Sequence, residues 1–560
     1  MRKQACHNHQ NQKEFDKAKK AIATYLNLIQ DTPIYACSLC TRLHFKKDIR
    51  AIDNATILAW KSLTTMDEAT LFSLQEQICR FYKKTISNVQ LSTFASPIHI
   101  RHNKLTSVAI LTPLEERLVS PRMVFAQIRQ LGYKRAQLGL TGTIINVPAD
   151  LDRVQTALPR SLDDTMTIAI MLKRKLEYKN AFLSGNVRPS IVMAALNDLC
   201  KTKLYIDEGI VINTSWEEMF SKIAHQESNT ETTIHSIDEI ENEIELEPIS
   251  ETLIHGYGES HLIDDLANKI IEIAPSKNFH PLGIFQDKYS EELNFPTLFF
   301  GCNRPKDIFN RFSYKQISQW ELEEESTDFE THNTNIFFKA VKVIINQISN
   351  TAWISIRIGE LKGKKMLAKY VNKKNNLEKI LRSPIGYRTL KSIRTLHDYF
   401  ENMQKNLFAM IRQLGPPTFF VTFTSAEHLW VPLCNALYQI ENKNLKEPLD
   451  SSKEDTIDSL IRRHPVICSR YYRHKITALK SLILKNDKLF GKVEDFFFTT
   501  EFQQRGNEHE HGLLWIQNAP VYGQNTNAEI TSFVDCYIST DSTLLNENFV
   551  KVQTHYHTRT

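Results

Sequence analysis

The stretch from Glu494 to Ile516 limits what this chain can fold into more than any other, because it reads as two extended runs joined by a polar turn. Aromatic and β-branched residues dominate Phe496 to Phe502, Gln503-Gln-Arg-Gly506 supplies turn chemistry, and Leu513-Leu-Trp-Ile516 closes the second run. His509 and His511 stand two residues apart in that second run, so on a strand they point to the same side. At roughly 3.3 Å rise per residue their backbones are about 6 to 7 Å apart, close enough for both imidazoles to lean onto one divalent ion. The spacing is that of a metal site.

At 560 residues the chain exceeds one ordinary core, and about 100 to 200 residues per domain predicts three or so units. The composition, 42% hydrophobic and 24% charged, is that of a globular protein, and no apolar run reaches the ~18 residues of a membrane span. The polar Met1 to Lys20 stretch has no apolar centre of the kind a secretory signal needs. Nine cysteines, sparse and odd in number, fit a reducing compartment better than a disulfide framework. An intracellular protein with no membrane partner is expected, and a nuclear one if it handles DNA.

A net charge of +5 hides a strong segregation. Between Ile223 and Asn268 there are twelve acids and no Lys or Arg, a self-repelling composition that predicts a flexible linker over residues 216–270. Between Arg357 and Arg394 twelve cations face two acids, a local excess of +10 that would attract a phosphate backbone. Lys364, Lys365, Lys369, Lys373 and Lys374 form its densest part and, with Arg505 in the hairpin turn, are the candidate DNA-binding residues. A solvated helical face is the competing reading of such a run.

Residues 1–30 read as a polar tail. From 31 to 215 helix and strand patterns alternate, with an amphipathic helix over Leu114 to Ile128 and a strand over Gly142 to Pro148. Cys37-Ser-Leu-Cys40 has the spacing of a zinc knuckle, and Cys79 is a third candidate ligand for a structural Zn²⁺, with His44 or His7 as more distant ones. A second ordered block, 271–560, starts near Phe295. Its helices are expected over Ile336 to Ile348, Leu407 to Leu414 and Ser459 to Lys485. Thr418 to Thr424 reads as a central strand that follows the break at Pro416-Pro417. The fold class is α+β in both blocks.

Several of these segments resemble one family. Glu501-Phe-Gln-Gln-Arg-Gly506, His509-x-His511 and Leu513-Leu-Trp-Ile516 are similar to the HUH motif of Helitron transposases, rolling-circle proteins that join a nicking domain to a helicase. Phe408 to Glu427, Arg463-His-Pro-Val466 and Gly491-Lys-Val493 resemble other parts of the Helitron helicase-like N-terminal domain, in the family's order. Leu114 to Arg122 and Gly142 to Pro148 look like an uncharacterised domain that often precedes it. The resemblance implies a central antiparallel sheet of HUH type and metal-dependent cleavage of single-stranded DNA, with a helicase in the same polypeptide. It implies Mg²⁺ or Mn²⁺ held by His509, His511 and a third polar ligand, for which Glu501 and Gln503 are the nearest candidates, and an attacking tyrosine that becomes joined to the 5′ end.

The chain departs from the family pattern in four places. Glu508 stands where a proline precedes the first histidine, and Glu510 where an apolar residue separates the two. Glu510 must face away from the histidines, so it needs solvent or a cation such as Arg505. No tyrosine pair follows the histidines before Thr560, and neither Gly363-Lys364 nor Gly491-Lys492 has the earlier glycine of a phosphate loop. The expectation is a nickase incomplete as an enzyme, with an inactive DNA-binding or protein-interaction remnant as the alternative.

Overall fold

The computed structural model describes residues 16–37, 40–50, 78–79, 104–130, 138–148, 157–159, 188–213, 287–305, 308–361, 391–394, 396–442, 454–485, 487–502 and 506–537. The acidic stretch of 216–270, Gln503, Arg505 and the five lysines from Lys364 to Lys374 lie outside them. The described chain mixes helix and strand, is mostly helical, and carries small sheets, in keeping with an α+β class.

Four short strands open the order: β1 (Tyr35–Ala36) pairs with β2 (Leu43–His44), and β3 (Ile49–Arg50) with β4 (Ile78–Cys79), both antiparallel. The helix expected over Leu114 to Ile128 stops early. Thr112 and Glu115 form a reciprocal cap, Pro113 sets the first turn, and the helix runs only over Pro113–Val119. Pro121 bars the preceding residue from helical geometry, and the chain turns into β5 (Arg122–Gln130), paired with β6 (Leu138–Pro148). β7 (Ala157–Leu158) and β8 (Val211–Ile212) make the one parallel pair among the described residues.

The core of the 31–215 block is completed from the later block. Val108, Leu118, Leu196, Leu199 and Tyr205 pack with Leu293 and Phe300. Leu43 of β2 is buried among Leu433, Leu437, Leu460, Ile467 and Tyr471. The hairpin of the first block is also tied by hydrogen bonds to the second, Leu43 N to Glu323 O at 2.8 Å and Arg470 Nη2 to Leu43 O at 2.6 Å.

Helices of the second block are longer than their sequence patterns. Asn333–Leu361 and His397–Leu414 contain the expected segments, and the third is split into Glu454–Arg463 and Pro465–Lys485 at His464. Proline at the first position suits a helix start, and the Glu330 carboxylate accepts from Ile467 N at 3.1 Å in that first turn.

The sheet that carries the histidines has the order β10-β11-β9, all antiparallel, with β9 at Phe419–Thr424, β10 at Val493–Phe502 and β11 at Glu508–Ile516. The hairpin is formed as read, with Glu501 opposite His509 and Thr499 opposite His511. β9 was expected to be central but lies at the edge of the described sheet, where Phe420, Thr422 and Thr424 are exposed. One face of the sheet packs Phe419, Val421, Phe423, Phe498 and Leu514 against Leu479 and Ile483 of the Pro465–Lys485 helix and against Phe533 and Tyr537. Gly512 allows that close approach: a Cβ there would stand 2.3 Å from the Phe498 ring and 2.8 Å from Val421.

Candidate metal and nucleic-acid site

Strand alternation turns the other face of this sheet away from the Pro465–Lys485 helix, and it carries His509, 7% exposed, and His511, 25% exposed, side by side. Their ring centroids are 4.5 Å apart at an interplanar angle of 71°, so the predicted shared side is met. From β9, Thr424 stands opposite His509 and Thr422 opposite His511. Thr424 Oγ1 lies 3.0 Å from His509 Nδ1, and Thr422 Oγ1 lies 3.3 Å from His511 Nδ1. From β10, a Glu501 carboxylate oxygen lies 3.1 Å from His511 Nε2. Phe420, 66% exposed, stacks on the His511 ring with centroids 5.3 Å apart and planes 19° from parallel.

Burial and then the neighbouring His511 push the His509 imidazole below its ordinary pKa, against the opposing pull of Glu501. A neutral imidazole is the form that coordinates a metal. Two imidazoles with an exposed carboxylate are a mixed nitrogen and oxygen donor set, which suits Mn²⁺ better than the oxygen-seeking Mg²⁺. In geometry Glu501 is engaged with His511, and among the described residues no group of three or more His, Cys, Asp or Glu is assembled to hold a metal ion.

The two glutamates that depart from the family pattern are absorbed on the helix-packed face. Glu510 pairs with Lys480 of the Pro465–Lys485 helix and accepts from Thr500 Oγ1 at 2.6 Å. Among the described residues the cation is Lys480; Arg505, the partner expected from the turn, lies outside them. Sequence distance hid Lys480, which lies thirty residues earlier on a helix that crosses the sheet. Glu508 accepts from Ser469 Oγ at 2.8 Å. Burial raises its carboxyl pKa, against Ser469 and Arg473, which lower it.

Tyr471 and Tyr472 are structural. Tyr471 Oη donates to Ile29 O at 2.6 Å and Tyr472 Oη to Phe423 O at 3.1 Å, and burial pushes both phenols well above their ordinary pKa. Two inaccessible, raised phenols are poor nucleophiles.

At the knuckle, Cys37 N donates to Arg42 O at 3.0 Å and Thr41 N to Cys37 O at 2.8 Å, which closes a tight turn. Cys40 Sγ stands 3.5 Å from His44 Nε2. Burial and then Arg42 lower the His44 pKa, which favours a neutral ring. Cys79 pairs through its backbone with Ile49, and its side chain lies outside the described residues.

The family described as Helitron helicase-like domain at N-terminus matches residues 320–514, a span that takes in the Asn333–Leu361 helix and β9, β10 and the histidines of β11. This region is similar to the Helitron helicase-like domain. Residues 98–218, ahead of the Helitron helicase-like region, match a domain of unknown function, DUF6570. No curated protein and no solved structure matches the chain. The similarity to a Helitron helicase-like domain suggests association with nucleic acid, and no described helix is long and apolar enough to cross a membrane.

Proposed function

We propose that this chain is part of a Helitron-like rolling-circle transposase in which the histidine-bearing face of the β10-β11-β9 sheet engages single-stranded DNA and a divalent cation, Mg²⁺ or Mn²⁺, for strand nicking. The observation that carries the reading is the pair of imidazoles on one strand face, each in contact at Nδ1 with a threonine, inside the region that matches the Helitron helicase-like family. His509 and His511 would hold the cation, with Glu501 or Gln503 as the third ligand, and the bound ion would supply polarisation of the scissile phosphate. The basic run from Arg357 to Arg394 would draw the phosphate backbone electrostatically. The attacking tyrosine is not Tyr471 or Tyr472, both of which are committed to the core.

Engagement of Glu501 with His511 favours a second reading, a DNA-binding module that no longer nicks. A structural Zn²⁺ at Cys37, Cys40 and Cys79, with His44 in contact with Cys40, is a separate proposal for the knuckle.

Calorimetric titration with Mn²⁺ tests the first reading. Wild-type protein is expected to bind and His511→Ala to lose at least tenfold in affinity; equal affinity in the two sinks it. Single-strand binding that weakens steeply with salt, without nicking in Mn²⁺, selects the second reading.

A further inference from the structure

We infer that residues 16–37 and 40–50 form a strap docked on the side of the Pro465–Lys485 helix that faces away from the histidine sheet, and that this helix couples the strap to the sheet. At 3.6 residues per turn, Ile467, Arg470, Tyr471 and His474 fall along one side of the helix. Ser469, Tyr472, Lys480 and Ile483 fall along the opposite side, where the sheet lies. The neighbours Tyr471 and Tyr472 show the division. One hydroxyl donates to Ile29 O at 2.6 Å in the strap, the other to Phe423 O at 3.1 Å in β9. One helix thus serves two surfaces built from distant parts of the chain.

The strap is held by donors placed where its own backbone lacks them. A helix leaves its last carbonyls without amides one turn on. At the end of the helix over 16–28, Tyr471 Oη donates to Ile29 O and His474 Nε2 donates to Leu28 O at 2.8 Å. Lys47 Nζ lies 3.1 Å from His474 Nδ1, and the same ring packs on Phe45 with centroids 4.4 Å apart. Asp31 closes the strap on itself, accepting from Lys46 N at 2.8 Å and Lys47 N at 3.2 Å. Further along, Arg470 Nη2 donates to Leu43 O at 2.6 Å, and the Leu43 side chain packs with Ile467 and Tyr471. Glu325 N donates to Thr41 O at 2.8 Å, and Arg42 pairs with Glu323. Displacement of the strap therefore strips the helix of its partners on one side while the sheet still bears on the other. The coupling needs neither metal nor DNA, and through it an event at the N-terminal segment reaches the sheet that carries His509 and His511.

Amide hydrogen exchange of the full chain tests this. Tyr471→Phe/His474→Ala removes two ties on the strap side, each worth a factor of about five. Amides of 16–31 are expected to exchange about tenfold faster or more. With the helix as coupler, amides of β9 and β11 should follow by about fivefold, the low end of ordinary coupling between sites. The Pro189–Leu199 helix, which packs in a separate core, should keep its rate. A strap that loosens over an unchanged sheet overturns the coupling, as does a uniform rise in all three regions. An unchanged strap overturns the docking. Coupling is reciprocal, so Tyr472→Phe, on the sheet side, should speed exchange in 16–31 as well, and no change there also overturns it. If the double variant does not fold, His474→Ala, at a half-buried position, carries the same expectations with about fivefold for the strap.

Discussion

Two clusters of ionisable side chains in this protein have opposite characters. Arg304 lies at the centre of the first, bonded to Glu291 at 2.8 Å, Glu292 at 3.1 Å and Glu321 at 2.6 Å, while Lys339 bridges Glu291 and Glu321. All of these side chains are at most 5% exposed. Burial alone would raise the Glu291 carboxyl, but Arg304 and Lys339 beside it hold it well below the usual carboxylate range. The second cluster is graded from buried to open, with His509 7%, His511 25% and Glu501 64% exposed, and its rings are framed by neutral hydroxyls. With Lys342, 3.9 Å from Glu291, three cations face the three carboxylates, and the first cluster, matched and sealed, has nothing to offer a ligand. The second exposes its carboxylate, Glu501, while its two imidazoles are largely covered. Perturbed acid–base groups therefore do not by themselves locate a site.

The largest expected effect is at the sealed cluster. Arg304→Met leaves three buried carboxylates with too few cations and is expected to cost about 3 to 5 kcal/mol of stability in urea unfolding. His511→Ala, in the second cluster, should change stability by less than about 1 kcal/mol. A mild Arg304→Met would dissolve the contrast. Gly512→Ala is next: its methyl group would meet Phe498 and Val421, and overpacking of that kind costs about 1 to 3 kcal/mol. It also joins the two regions of the sheet, since strain under β11 should loosen the histidine pair on the other side. A stable Gly512→Ala protein would show that the strands can part at no cost.

The smallest effect is in pH. His464, buried between Glu441 at 3.0 Å and Glu330 at 3.7 Å, has its pKa lowered by burial but raised on balance by the two carboxylates, above the ordinary 6.5. Its contribution is fully present below about pH 6.5 and is lost as pH rises through the higher folded value. His509 has the opposite sign: its folded pKa is below 6.5, so its contribution is present above that value and is lost as pH falls through it. Urea unfolding of His464→Gln from about pH 5 to 8 should show less loss of stability on the alkaline side than wild type. An identical pH profile would mean that the two carboxylates do not hold its proton.

How far the sequence could be read depended on how local each interaction is. The hairpin from Val493 to Ile516 was legible because strand propensity, turn residues and apolar alternation all fall within it. The helix at Pro113 was legible at its start, where Thr112 and Glu115 cap it, and misread at its end, where Ser120-Pro121 outweighs the apolar spacing beyond. Of the site, the shared side of His509 and His511 was evident. Thr422, Thr424 and Lys480 were not, because nothing in a short window reports which strand will lie alongside or which helix will cross beneath. Signals were nonetheless there: two threonines alternating with phenylalanines in an extended run, and a glutamate where an apolar residue belongs.

The sequence by itself determined that two imidazoles leave one strand in the same direction, because side-chain alternation follows from backbone geometry alone. Only the tertiary structure decided that this direction is away from the Pro465–Lys485 helix, that β9 brings hydroxyls to Nδ1, and that Lys480 neutralises Glu510 on the reverse face. Those outcomes depend on strand order and on helix packing across stretches of thirty to ninety residues, where burial and charge pairing act on the whole chain at once.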